Sequence, residues 1–433
     1  MTEPSTGKPA PAKAPRVSSL RARLSKTPDL VFIGLCVLTP VLSYLGNLSF
    51  SPLVALAGVA TLFWFPRIRA GWALFALLTA MTAWALASQV WSPYVPPFAE
   101  LKGLKAFQSL TGVKMIFELA LYPAAVGGSL ALSEGASRRG LDVLSFGAVL
   151  LVVFLMVEAF DGEALYSLVR AAEHQEFRPD IARRNVARAC YELALFTPFI
   201  CLHLWQKAGR ARAVALLFPA AVIGVSFALQ VDSPIVAVVV AGLVALTLRV
   251  GKRLGSYALI AASTGYFISA PLLAGSKIAE HFASPSSASI AKASWGARLQ
   301  IWRFTAGLIH QNPIRGWGLD TSRVFTTEIP LHPHNAALQL WLELGAPGAA
   351  FGALIFAWIF ATVESLRQRD PALGAAAAGV VSAYLVIGAL SFGVWQEWWI
   401  GLAALAFILG NGLATARRNL PPPSEGLVPL ELV

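Results

Sequence analysis

Long apolar segments recur along almost the whole of this chain, and they limit its fold more than any other feature of the sequence. A helix needs about 20 mostly apolar residues to cross a membrane. We find twelve such segments, at residues 29–48, 50–66, 71–91, 115–133, 141–160, 188–206, 212–230, 233–249, 255–273, 336–363, 374–393 and 397–415. The second and eighth are short and the tenth is long, so eleven or thirteen spans would also fit. The sequence therefore predicts an all-α, polytopic integral membrane protein with about 12 transmembrane helices.

The composition excludes most soluble classes of protein. Hydrophobic residues make up 56% of the chain and charged residues only 13%, whereas a soluble domain carries about 25% charged residues. Disorder is excluded because apolar residues are abundant. A disulfide scaffold is excluded because there are only three cysteines, all in apolar segments, where a thiol usually packs as a small hydrophobic group.

The predicted spans divide the chain into five regions. Residues 1–28 form a disordered, basic cytoplasmic tail without the short apolar core of a cleavable signal. Residues 29–273 hold the first nine spans, and residues 336–415 hold the last three. Between them, residues 274–335 form one large outward-facing loop containing amphipathic helices, and residues 416–433 are a second cytoplasmic tail.

Basic residues in the short connections predict the orientation, because Lys and Arg hold short loops on the cytoplasmic side. Every second connection carries such residues, as at Arg138 and Arg139, whereas the short connections around Asn47, Asp232 and Gln396 carry none. We therefore expect both termini in the cytoplasm. This pattern and contact with anionic membrane lipids account for most of the net charge of +11, and no soluble basic face indicates a nucleic acid partner.

Three long connections, 92–114, 161–187 and 274–335, are basic although the pattern places them outside. Long loops often cross a membrane whatever their charge, which is one explanation. Arginine is also well suited to hold a phosphate, so an anionic ligand is the other. Five of the six histidines lie in these three connections, which favours the functional explanation.

The end of the largest loop, His332-Pro333-His334-Asn335, is the strongest candidate for catalysis. Pro333 disfavours helix at His332, and Asn335 is a good N-cap, so a helix is predicted to begin at Asn335. His334 would then lie beside the positive end of that helix, which lowers its pKa and favours the neutral form of a general base. We assign supporting roles to His332 and Asn335.

Two further polar residues continue from Asn335 into the tenth predicted span. Gln339 and Glu343 follow it after four and eight residues, so the three share one helix face. A carboxylate inside a span is expensive and indicates a functional site by default. Gln339 and Glu343 are therefore predicted to support the site, with packing against a neighbouring helix as the alternative for Glu343.

A second helix is predicted upstream in the same loop. Trp295, Leu299, Trp302, Ala306 and Ile309 recur at spacings of four and three. This is the apolar stripe of an amphipathic helix, which we expect to lie at the outer face of the membrane.

Three arginines in or after this helix are candidate ligands of lipid-linked phosphate groups. Arg298 and Arg303 lie at the two edges of the stripe, where snorkelling to the lipid headgroups is the alternative. Arg315 lies in the turn Ile314–Gly318, and there a solvated turn residue is slightly favoured over a phosphate ligand.

Taken together, these fragments resemble the core signature of the O-antigen ligase and polymerase superfamily. The matching residues are, in order, Arg298 and Trp302, Asn312–Gly318, His334–Asn335 and Glu343–Gly345. About 50 residues carry the resemblance directly, and the layout of spans extends it over most of the chain. Each fragment is weak alone, but their order, their spacing and their place before a late span are specific.

The resemblance implies a metal-independent, inverting glycosyltransferase without a cofactor, in the bacterial inner membrane, with its active site facing the periplasm. The donor would be a glycan on undecaprenyl diphosphate. The acceptor would be lipid A-core in a ligase, or another lipid-linked repeat in a polymerase of O-antigen or exopolysaccharide, and we favour the O-antigen ligase of lipopolysaccharide assembly. The resemblance also implies that His334 activates the acceptor and that Arg298 contacts the diphosphate.

This chain departs from the family at one position. Many members carry a Ser-Arg pair at the outer end of a middle span, and that arginine is a second diphosphate contact. Here Ser233 is followed by Pro234. Arg183, Arg184 and Arg188 are the best substitutes, and Arg184 and Arg188 would share one face of the sixth span.

Two functions of other classes stay open. A transporter of lipid-linked glycans would show interrupted spans or similar halves, with binding groups near the midplane. No internal repeat is visible, and the polar cluster is concentrated at one face, which favours an enzyme. A non-catalytic scaffold in an envelope-assembly complex would leave His334 dispensable.

Overall fold

The computed structural model describes residues 26–96, 109–172, 178–277 and 293–418. Within those ranges the regular secondary structure is helical, as the predicted all-α class requires. Of the two predicted tails, residues 1–25 and 419–433 lie outside the described ranges. The α-helices are α1 (Thr27–Leu45), α2 (Phe50–Ala60), α3 (Trp72–Ser88), α4 (Thr111–Ser129), α5 (Glu134–Phe160), α6 (Ala164–Ala172), α7 (Pro179–Trp205), α8 (Arg210–Ala228), α9 (Asp232–Ala274), α10 (Ala293–Gln311), α11 (Ala336–Arg369), α12 (Pro371–Leu390) and α13 (Glu397–Arg417).

Eight helices in the described ranges are long and apolar enough to cross a membrane: α1, α3, α5, α8, α9, α11, α12 and α13. A ninth span results if the pair Asn47–Ala60 and Leu62–Ile68, bent by 91°, is counted as one. The protein is thus a multi-pass helical membrane protein, but the predicted count of about twelve is not confirmed. Helices α4 and α7, at the fourth and sixth predicted spans, are not among the eight, and they carry charged side chains such as Lys114 and Glu192.

The second predicted span, 50–66, is wrong as a straight helix. Helix α2 ends at Ala60, and the Thr61 hydroxyl lies 2.7 Å from the Ala57 carbonyl oxygen and 3.0 Å from that of Ala124 in α4. Because this hydroxyl bonds to both helices, the chain turns against α4 instead of continuing.

Helix α9 consists of two arms, because its backbone breaks at Lys252 (φ 46°, ψ −123°). Both ends of α9 meet α10. The Trp295 indole N–H donates to Asp232 at the start of α9 over 3.0 Å, and Gly275, directly after its end, lies beside Ala306. The arms therefore form a hairpin, which agrees with the two separate segments in the sequence.

The described residues form three hydrophobic cores, and one of them holds the large loop on the bundle. The largest core joins α1, α2, α4 to α9, α12 and α13, and Leu402 and Leu405 of α13 are fully buried in it. The second core lies beneath the large loop and includes Ile309, Leu319 and Ile329. The large loop therefore packs on the bundle through a continuous hydrophobic core at the end that carries the site.

Candidate active site

Helix α10 matches the predicted amphipathic helix, but its apolar stripe faces the protein and not a membrane surface. Ala306 and Ile309 are only 1% and 2% exposed. The Trp302 indole N–H donates to the Pro333 carbonyl over 2.9 Å. The end of the stripe at Ala306 and Ile309 is buried and its other residues are half-buried, and Trp302 fixes α10 to the segment that carries His334.

Helix α11 begins where the sequence predicts. The side-chain oxygen of Asn335 accepts the Leu338 N–H over 3.0 Å and the Tyr266 hydroxyl over 3.0 Å. The helix then breaks at Gly345 (φ 67°, ψ −157°), so the long tenth segment is divided into arms at residues 336–344 and 346–369.

The break at Gly345 exposes carbonyl groups that would otherwise accept hydrogen bonds within the helix. The turn after α10 provides the missing donors. Trp317 N–H donates to the Leu342 carbonyl and Gly318 N–H to the Glu343 carbonyl, both over 2.8 Å. Two separate parts of the family signature therefore hold each other in place.

Glycine is required on both sides of this contact. A Cβ on Gly345 would lie 2.2 Å from the Ile314 carbonyl oxygen, and one on Gly316 would lie 2.5 Å from the Gly345 nitrogen. Both glycines have positive φ, near 67°, where L-residues are strained. The indole of Trp84 completes the unit by donating to the Leu344 carbonyl over 3.0 Å.

Glu343 is fully buried, and its carboxylate organises the loop. It accepts four hydrogen bonds, which satisfy both oxygens. The donors are the Asp320 N–H (3.0 Å), the Ser322 hydroxyl (2.8 Å), the Gln339 amide (3.1 Å) and the Trp395 indole (2.7 Å). Glu343 is thus a structural anchor beneath the site, which fits a supporting role and not a second catalytic acid.

A second carboxylate that the sequence did not suggest lies next to this anchor. Asp320 accepts the Thr111 hydroxyl over 2.9 Å and lies 3.1 Å from the Arg323 guanidinium. Burial raises the pKa of Asp320, although Arg323 opposes the shift. Asp320 and Arg323 thus hold the large loop against Thr111, at the start of α4.

His334 presents one ring nitrogen as a base. Its Nδ1 lies 2.8 Å from the Ser391 carbonyl oxygen. A carbonyl only accepts, so Nδ1 carries the proton of the neutral ring and Nε2 keeps its lone pair. Among the described residues, no hydrogen-bond partner occupies Nε2.

The backbone of His334 is held in an unusual conformation by His332. His334 has φ 55°, in the left-handed region. Its N–H donates to Nδ1 of His332 over 3.1 Å, and the Gln396 amide lies 3.1 Å from the other ring nitrogen. His332 is buried, so it supports His334 from below and does not reach a substrate.

Both imidazole rings are kept neutral by their surroundings. Burial lowers the pKa of His334, and the positive charge of Arg298 lowers it further. Burial, with smaller contributions from His334 and Arg323, lowers the pKa of His332 to about 3. The direction for His334 is the one expected from the sequence, but burial and a nearby arginine cause it in place of the helix end.

Ser233 lies next to the catalytic candidate, although Pro234 replaces the family arginine. The Ser233 hydroxyl is 2.7 Å from that of Ser391, whose carbonyl holds His334. Of the candidate cations, Arg298 is the one whose charge acts on His334, and it lies over the Trp295 ring at 5.2 Å.

Arg184 and Arg188 lie on a helix face that leads to the site. They precede Tyr191 by seven and three residues on α7, so all three share one stripe. The Tyr191 ring packs against the ring of Phe392, directly after Ser391, with centroids 4.7 Å apart and the planes tilted by 56°. Both arginines are exposed, and by helix geometry Arg184 lies about 10 Å and Arg188 about 5 Å along the axis from Tyr191.

The other arginines are placed differently. Arg183 donates to the Ala228 carbonyl over 3.0 Å at the end of α8, so it is a poor substitute for the family arginine. Arg315 is exposed and lies over the Trp91 ring at 5.8 Å, and Arg303 is exposed on the outer face of α10.

Sequence reasoning missed the connection between α12 and α13. It supplies Ser391, Trp395 and Gln396, which contact His334, Glu343 and His332 respectively. Ser391 acts through its backbone, which leaves no side-chain signal. The polar and aromatic residues at the start of α13 were the available clue.

Comparison with known proteins supports the family resemblance. Residues 215–353 match the family model described as O-Antigen ligase, a segment that holds Ser233, Arg298, His334 and Glu343. The resemblance to the O-antigen ligase superfamily is therefore confirmed over this part of the chain.

Three relatives from Rickettsia carry the name "Putative polysaccharide ligase". The protein of Rickettsia typhi is 34% identical over 124 residues, which are 25% of this chain and 30% of that protein. That of Rickettsia prowazekii is 34% identical over 118 residues (24% and 28%), and that of Rickettsia conorii 32% over 127 residues (26% and 30%). The chain thus matches less than a third of the length of each relative.

Proposed function

We propose that this protein is a glycosyltransferase of the bacterial inner membrane that moves a glycan from undecaprenyl diphosphate to an acceptor hydroxyl. The O-antigen ligase reaction, with lipid A-core as acceptor, is the form we favour. The observation that carries the proposal is the His334 ring, whose Nδ1 is bonded to the Ser391 carbonyl so that Nε2 is available as a base. The name of the relatives, putative polysaccharide ligase, supports a ligase that acts on a polysaccharide.

The proposed reaction is a direct displacement on the periplasmic side, with both termini of the protein in the cytoplasm. His334 Nε2 takes the proton of the acceptor hydroxyl as its oxygen bonds to the anomeric carbon. The bond from that carbon to the diphosphate oxygen breaks, and undecaprenyl diphosphate leaves with the electron pair. Attack opposite the leaving group inverts the anomeric centre.

Cations on the protein would stabilise the charge that develops on the diphosphate. Arg298 is proposed as the principal contact, because its charge already acts on the His334 ring. Arg184 and Arg188 are proposed in place of the missing family arginine, on the stripe of α7 that leads to Tyr191 and Ser391. Arg303 and Arg315 are proposed as outer contacts.

A transporter is less well supported, although α9 and α11 are interrupted helices. In transporters, such breaks leave backbone groups free to bind the cargo near the midplane. Here the carbonyls before Gly345 are occupied by Trp317, Gly318 and Trp84. The break in α11 therefore holds the turn after α10 in place and offers no free backbone groups there to bind a cargo.

The acceptor is tested with purified full-length protein, a donor glycan on undecaprenyl diphosphate, and EDTA throughout. We expect glycan transfer that requires lipid A-core. Lengthened lipid-linked glycan without lipid A-core would instead make the protein a polymerase. Movement of the donor across liposomes without any transfer would overturn the enzyme and favour a transporter.

The pH dependence tests the pairing of His334 with Arg298. A base must be unprotonated, so kcat/KM falls as the pH drops through the pKa of His334. We expect this acid limb below pH 6.5, the ordinary value for histidine, because burial and Arg298 lower the pKa. Arg298→Gln should move the limb to higher pH in addition to weakening donor binding.

The matched control for this experiment is Arg139→Gln, which removes an equal charge. Arg139 is exposed on α5, near the end of the bundle where Arg138 reaches the Ala416 carbonyl, far from His334. Its acid limb should stay in place. An unchanged limb in Arg298→Gln would contradict the assigned electrostatic contact.

A further inference from the structure

A track of polar side chains runs between α1 and α7, outside the candidate active site. Thr39 and Ser43 are four residues apart on α1, and Arg188 and Glu192 are four residues apart on α7. Each pair therefore lies on one face of its helix. Asn47 follows the end of α1, in a short 3₁₀ turn at Asn47–Ser49. The Arg188 guanidinium donates to the side-chain oxygen of Asn47 over 3.3 Å.

The polar track leads from the surface into the bundle. Arg188 is exposed, whereas Glu192, one helical turn further, is only 1% exposed. One turn of four residues corresponds to about 6 Å along the helix axis. The buried end of the track is therefore a short distance from solution at the active-site end of the bundle.

Glu192 ends this track with a carboxyl group that lacks donors. Both oxygens are buried, and in the described part of the chain neither is hydrogen-bonded to another residue. The hydroxyls of Thr39 and Ser43 donate to the backbone carbonyls of Leu35 and Thr39, over 2.7 and 2.8 Å. They consequently present only lone pairs to their surroundings.

The Glu192 carboxyl group lines a small cavity between α1, α5 and α7 that has room for a water-sized occupant. Apart from Thr39 and Ser43, the cavity lining is apolar, with α5 contributing Leu144 and Leu151 among others. The charged and titratable groups that act on Glu192 all belong to α7: Arg188, Cys190 and Tyr191.

An ionised carboxylate in this position would be strongly unfavourable, because it would be buried without a single donor from its neighbours. A neutral carboxyl group removes that charge and with it most of the cost of burial. Arg188 does not neutralise Glu192 directly, since its guanidinium bonds to Asn47.

We propose that Glu192 is a proton-binding site, a neutral carboxyl group that exchanges its proton with solution along the polar track. Such a site is also a target for hydrophobic carbodiimides. In that reaction the carboxyl proton moves to a carbodiimide nitrogen and the carboxyl oxygen adds to the central carbon. A shift of the acyl group to nitrogen then leaves a stable N-acylurea. The inference does not depend on the proposed glycosyl transfer.

The test treats the full-length protein in nanodiscs with dicyclohexylcarbodiimide between about pH 5 and pH 9, and locates adducts by peptide mass spectrometry. We expect an adduct on Glu192 that decreases as the pH rises. Glu343 is the internal control, since it is equally buried but accepts four hydrogen bonds and should stay unmodified. Protection of Glu192 by Na⁺ relative to choline would overturn the proposal and indicate an alkali-cation site.

A second measurement does not require the reagent to reach the cavity. If the folded protein holds a proton on Glu192 that the unfolded chain releases, the folded state binds more protons and stability falls as the pH rises. The Tm of the wild-type protein should therefore fall more steeply between about pH 5 and pH 9 than that of Glu192→Gln, which mimics the neutral form. Equal slopes, with Glu192 unmodified, would reject the proton site whether or not the protein transfers glycans.

Discussion

Replacing His334 by Asn should reduce glycan transfer by about 10² to 10⁴-fold, the range associated with loss of a general base. Asn tolerates the left-handed backbone that His334 adopts at φ 55°, so the change removes the base without adding backbone strain. Its short amide can still donate towards the Ser391 carbonyl, but no nitrogen lone pair remains to take the acceptor proton. The measurement is initial rate at saturating donor and acceptor.

The matched control is His310→Asn, at an exposed histidine in the last turn of α10. It should transfer at the wild-type rate. If His334→Asn also keeps the full rate while remaining folded, His334 is dispensable. The protein would then be a scaffold or would use another base.

Replacing Gly345 by Ala should destabilise the protein by at least about 2 kcal/mol, since the residue has a positive φ that L-residues avoid. The added Cβ would also lie 2.2 Å from the Ile314 carbonyl oxygen, which is backbone and cannot move aside cheaply. We expect a lower Tm and loss of transfer, because the same contact holds the loop that ends at His334.

Gly307→Ala tests whether any change of glycine in this region has the same effect. Gly307 lies within α10, and a Cβ there would meet nothing within 4 Å. Because Ala favours helix over Gly by about 0.5–1 kcal/mol, this variant should be as stable as the wild type or slightly more so. Equal loss in both variants would contradict the role assigned to the break in α11.

The sequence predicts local features well where a single residue decides them. Asn335 is the N-cap of α11, as expected. Counting spans from hydropathy was less successful. Thr61 and Gly345 interrupt two apolar segments by bonds and close contacts to distant residues, which a local hydropathy pattern does not contain.

The candidate site was likewise predictable only where its residues are close together in the sequence. His334 and Arg298 are found close enough to interact, as their shared loop suggests. The environment of His334 comes from a connection more than 50 residues later, through the backbone of Ser391 and the side chain of Gln396. Such contacts depend on how the last helices pack, so they cannot be predicted from the spacing of residues within the loop.

The contact between His334 and Ser391 also bears on how the protein is made. Residue 391 follows residue 334 in synthesis by the length of α11 and α12 together. A nascent chain that ends after the large loop lacks the carbonyl that orients the His334 ring, and it also lacks the Trp395 donor to Glu343. Assembly of the site is thereby delayed until the final pair of helices enters the membrane, so a chain that is released early or inserted incompletely carries an unassembled site.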